Sequence, residues 1–70
     1  MTAEQLARLT LEVWRPSGDR TTERRDALLH AYAETYYGPS AQWGEDVRSL
    51  VDCARLITRQ CTRIDELVYA

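Results

Sequence analysis

Asp26, His30 and Glu34 follow one another at intervals of four residues, the spacing at which helical side chains form one stripe. Asp26 with His30, or His30 with Glu34, could offer a metal two ligands. All three cannot converge on one point from a straight helix, and neither cysteine lies at a metal-type spacing from the only histidine. The stripe therefore reads as a solvated helix face, and no metal or other cofactor is expected. Nucleophilic catalysis lacks its parts as well, because no serine or cysteine carries a local motif around His30. All nine basic residues are arginine. A chain without lysine can form no Schiff base and no lysine-bearing phosphate loop. The expectation is a protein that is not an enzyme.

Cys53 and Cys61 are separated by eight residues of one expected helix, a rise of about 12 Å. A disulfide requires Cα atoms within about 7 Å, so the two cannot bridge inside one straight helix. Reduced, buried thiols beside an apolar seam are expected, and thiols so placed are usually inert. Arg63 to Leu67, RIDEL, resembles the helical start of chorismate mutases. The resemblance covers five residues, and the catalytic lysine it implies has no counterpart in this chain.

These residues need elements to position them, and the chain punctuates itself. Pro16-Ser17-Gly18-Asp19 and Gly38-Pro39-Ser40 are turn clusters, separating three segments of helical periodicity with no strand-like alternation. The expected fold is all-α: a single domain over residues 1–70 with helices at about 3–15, 22–37 and 41–68, antiparallel and self-associating. Thr2 with Gln5 fits a capping box for the first helix. Thr21 or Thr22 caps the second, which stops at Gly38, and Ser40 is the expected cap of the third. Leu28, Leu29, Tyr32, Ala33 and Tyr36 form the expected inward face of the second helix.

The third helix carries a heptad ladder. Trp43, Leu50, Ile57 and Ile64 recur every seven residues, and Val47, Ala54, Cys61 and Val68 interleave with them. This seam needs cover from the first two helices or from a copy of itself. In the first helix Leu6, Ala7, Leu9, Leu11, Val13 and Trp14 spread over more than half the circumference, which calls for neighbours on two sides. A domain of this length buries only about 60% of its unfolded surface. A homodimer through the third helix and part of the first is therefore expected.

Composition narrows the function. The net charge of −2 provides no footprint for nucleic acid, and no apolar run is long enough to span a membrane. MTAEQLARLT lacks a signal-peptide profile, so the cytoplasm is the expected location. Two tryptophans, four tyrosines and the arginines are the side chains that dominate protein interfaces. Trp14, Tyr37, Arg48, Arg55, Arg59 and Arg63 are the candidate contacts with an unidentified protein partner. In size and acidity the chain is similar to small phage and mobile-element inhibitors of host machinery, anti-CRISPR proteins among them. The alternative is a small DNA-binding regulator, with the second and third helices as helix-turn-helix and the arginines facing DNA. A recognition helix is usually far shorter, and acidic residues interrupt the arginines. A structural assembly subunit is the third reading.

Overall fold

In the computed structural model, residues 1–69 are described, with side chains as far as Ile64. Three α-helices follow one another: α1 (Ala3–Trp14), α2 (Thr22–Tyr37) and α3 (Glu45–Tyr69), with a short 3₁₀ turn at Ser40–Gln42 before α3. Among the described residues no helix is long and apolar enough to cross a membrane.

The capping chemistry decides the first two boundaries. Thr2 closes a reciprocal box on α1: the Gln5 amide donates to Thr2 Oγ1 at 3.1 Å and the Thr2 amide to Gln5 Oε1 at 2.8 Å. Thr21 caps α2, accepting from the Arg24 amide at 3.2 Å. Gly38 ends α2 at φ 82°, ψ −170°, a region essentially reserved for glycine.

The start of α3 differs from expectation. Ser40 opens the 3₁₀ turn rather than capping a helix, Trp43 is extended at φ −69°, ψ 132°, and α3 begins only at Glu45. The Trp43 indole N–H donates to the Gly38 carbonyl at 2.8 Å, and the Ser40 amide donates to Glu34 Oε2 at 3.3 Å. These two bonds fold the connector back on the end of α2. Gly44 supplies the first helical carbonyl, to the Arg48 amide.

The core is a cluster of Leu6 and Ala7 from α1, Leu29 and Ala33 from α2, and Val51 and Ala54 from α3. Three of these six are alanines, small enough for helix backbones to approach closely. Thr10 and Thr58 are also fully buried. Their hydroxyls donate to carbonyls of their own helices, Leu6 O at 2.9 Å and Arg55 O at 2.8 Å, so each presents its methyl to the core with its polar atom satisfied.

That device rotates the seam. The innermost face of α3 is Val47, Val51, Ala54 and Thr58, with Val51, Ala54 and Thr58 buried. Of the expected ladder, Trp43 lies off the helix, Leu50, Ile57 and Cys61 are half-buried at its shoulder, and Ile64 is 58% exposed. Val68 lies outside the described side chains. Cys53, expected to be buried, is exposed. On α2 the inward face is Arg25, Leu29 and Ala33; Leu28 and Tyr32 are half-buried, and Tyr36 is exposed.

Candidate functional site

Because α3 packs through one narrow face, it leaves two flanks of opposite character. The flank beside α2 and the connector holds the arginines. An open cleft of about 270 Å³ lies there, lined by His30 of α2, Ser40 and Trp43 of the connector, and Arg48, Val51, Asp52 and Arg55 of α3. Three consecutive elements meet in it, so its shape depends on the connector being held in place.

Glu34 does the holding. One carboxylate oxygen faces His30 Nε2 at 3.2 Å and the other accepts from the Ser40 amide. The imidazole in turn lies against the Trp43 indole, ring centroids 5.3 Å apart and tilted by 45°. With its Nε2 directed to Glu34, His30 is not paired with the Ser40 hydroxyl as a general base would be. On α3, Arg55 Nη1 donates to Asp52 Oδ1 at 3.1 Å across one turn, while Arg48 stays exposed at the cleft mouth. The expected stripe of Asp26, His30 and Glu34 is divided in the fold, because Asp26 faces Arg25. Among the described residues no three histidine, cysteine or acidic side chains are placed to hold a metal ion.

No family model, curated protein or solved structure matches this chain. Its functional reading rests on its own geometry.

The expected partner residues divide accordingly. Arg48 and Arg55 line the cleft, and Arg59 and Arg63 continue the same side of α3 outward, both exposed. Tyr37 is half-buried, with its hydroxyl donating to the Met1 carbonyl at 3.4 Å. Trp14 cannot be a surface contact: it is 4% exposed, and its indole N–H donates to Thr21 O at 2.9 Å. Its apolar bulk and its i+3 and i+7 relation to Leu11 and Ala7 were the signal that it belongs inside. Sequence reasoning set Trp43 in the helical seam and His30 on a solvated stripe, and missed that the two meet at this cleft. Only the tertiary fold of the connector brings them together.

The other flank of α3 faces α1. A groove of about 450 Å³ runs between the two helices, floored by Ala7, Leu11, Ile57 and Cys61 and rimmed by Glu4, Arg8, Glu12 and Arg15. Beyond the groove Leu56 and Ile64 stand in solvent, 55% and 58% exposed.

Proposed function

We propose that the protein works without catalysis, by binding an acidic segment of a partner protein along the arginine flank of α3. The observation carrying this reading is the convergence of Trp43, Arg48 and Arg55 on one cleft built from three elements. An aromatic face beside guanidinium groups recognises carboxylates by paired N–H donation and takes apolar neighbours against the ring. Arg59 and Arg63 extend the positive stripe past the cleft, so a segment of several residues can follow it. Such a chain acts by occupying a surface of its target, the mode of the small phage-encoded inhibitors that its size and charge resemble. DNA competes for the same stripe. Against it stand Asp52 within the stripe and the net charge of −2, since phosphate contacts dominate such binding.

The test compares the wild type with the double reversal Arg48→Glu, Arg55→Glu as bait, each in lysate with and without nuclease treatment. The expected result is a protein retained by the wild type and lost by a variant that melts at the same temperature. Calorimetry on that pair should show a loss of roughly 1–3 kcal/mol per arginine, shrinking as salt is raised. Equal retention by the reversal variant would move the site elsewhere. Retention that disappears with nuclease would make nucleic acid the ligand.

A further inference from the structure

The arginine flank of α3 has one acidic residue inside it. At 100° per residue Arg48, Asp52, Arg55 and Arg59 fall within a sector of about 60°, so Asp52 occupies a place in the stripe itself. Its carboxylate is already engaged, Oδ1 accepting from Arg55 Nη1 at 3.1 Å. Both side chains line the cleft together with Arg48. The carboxylate is the more accessible member of the pair, 69% exposed against 36% for the arginine. Among the described residues no carboxylate pairs with Arg48, which stays exposed one turn earlier. The two arginines of the cleft are thus unequal: one is open to a ligand and the other already holds an acid.

We propose, resting on the reading that this cleft binds an acidic segment, that Asp52 determines its specificity. It occupies Arg55 as a stand-in for a ligand carboxylate and selects segments whose negative charge is interrupted opposite it. A first ligand carboxylate meets Arg48 without competition. A second reaches Arg55 only by displacing Asp52 from Nη1, and an exposed pair of this kind is worth a factor of about two in affinity. The displaced carboxylate turns toward water but stays on the same face. A third ligand charge set opposite it, at about 6 Å in water, is repelled by a further factor of about three. The stripe therefore suits two carboxylates about 10 Å apart, the rise of α3 from Arg48 to Arg55. Between them it suits a neutral residue whose N–H or O–H Asp52 accepts. A protein segment can have that pattern. A run of glutamates or a nucleic-acid strand brings a charge to every position, and the acid within the stripe acts against both.

Trp43 lies in the cleft and Trp14 is sealed in the core, 4% exposed, so ligand-induced changes in tryptophan fluorescence read the cleft. Two acetylated hexapeptides serve as probes at fixed, low ionic strength. One is hexaglutamate, and the other is Gly-Glu-Gly-Gly-Glu-Gly, whose two carboxylates stand about 10 Å apart when extended. Each is titrated into the wild type, Asp52→Asn and Asp46→Asn, all checked for equal melting temperature. Asp46→Asn removes the same charge from the opposite side of α3. Asp52→Asn should bind hexaglutamate about fivefold tighter than the wild type does, and the interrupted peptide within about twofold. Asp46→Asn should change neither by more than about twofold. An equal gain for both peptides, or the same gain in Asp46→Asn, would reduce Asp52 to its net charge and overturn the proposal. Binding of hexaglutamate that Asp52→Asn leaves unchanged also overturns it. If neither peptide binds the wild type or either variant, the reading of the cleft as a site for acidic segments falls, and the role of Asp52 falls with it.

Discussion

The guanidinium of Arg25 lies over the indole of Trp14, its carbon 5.9 Å from the ring centroid. Arg20 approaches the same ring at 6.0 Å, and the indole N–H is tied to Thr21 O. One aromatic side chain at the end of α1 thus organises the loop and the start of α2. Through the bond from Arg25 Nη1 to Thr62 Oγ1 at 3.3 Å, it also reaches α3.

Trp14 should therefore be the most costly single truncation in the chain. Removal of a buried tryptophan costs about 3–5 kcal/mol, and a 70-residue protein has roughly 4–10 kcal/mol in total. Trp14→Ala should therefore lose about half of that stability, read as a lower midpoint in urea by circular dichroism. Trp14→Phe keeps most of the bulk and loses the hydrogen bond to Thr21, so it should fold with a loss of about 1–3 kcal/mol. A Trp14→Ala protein as stable as the wild type would mean that the ring is not part of the core.

Arg25 makes a different prediction. It is 3% exposed, and its Nε has no hydrogen-bond partner although Asp26 Oδ1 lies 3.5 Å away. Its Nη2 donates to the same oxygen at 3.5 Å and its Nη1 to Thr62 Oγ1, so of the three guanidinium nitrogens Nε alone is left unsatisfied. A buried charge so incompletely satisfied adds little net stability, and apolar replacements of like volume are often neutral or better. Arg25→Met should melt within about 1 kcal/mol of the wild type, whereas Arg25→Ala should lose about 2 kcal/mol more through lost packing on Trp14. Chemical denaturation of both variants separates charge from bulk.

The three helices, both turn clusters and the Thr2 capping box were legible in the sequence because they depend on local chemistry, with Thr21 one of two candidate caps for α2. The register of α3 was not. Hydrophobicity alone marks Leu50, Ile57 and Ile64 as the inner line, but Thr58 can be buried once its hydroxyl returns to Arg55 O. With Ala54 beside it, it offers the flatter surface against α1 and α2. The site was half legible for a similar reason. Arg48 and Arg55 follow from helical spacing, whereas Trp43 and His30 meet only because the indole bonds to Gly38 and pulls the connector out of the helix.

Gly38 tests the connector directly. A Cβ there would meet nothing within 4 Å, so the cost of Gly38→Ala comes from its backbone alone. At φ 82°, ψ −170° that strain is about 1–3 kcal/mol. Gly18→Ala, at an equally open position without positive φ, should change stability by no more than about 0.5 kcal/mol. Thermal melts of the two variants side by side provide the comparison. Trp43 fluorescence should shift only in Gly38→Ala, since that residue's carbonyl accepts the indole N–H.

The rotated seam predicts that two isoleucines seven residues apart on one helix respond differently to the same substitution. Ile57 packs against the core cluster from its shoulder, so an aspartate there places a charge beside Ala7 and Leu11 with no cation bonded to it. Burial of an unpaired carboxylate costs several kcal/mol, and Ile57→Asp should unfold most of the population. Ile64 is exposed, and an aspartate there remains hydrated. Ile64→Asp should cost only about 0.5 kcal/mol. Urea titrations measure both. Were the unrotated ladder correct, the two positions would be equivalent and both variants would lose the fold together. A folded Ile57→Asp protein would instead remove that shoulder from the core and leave Val51, Ala54 and Thr58 to hold α3 alone.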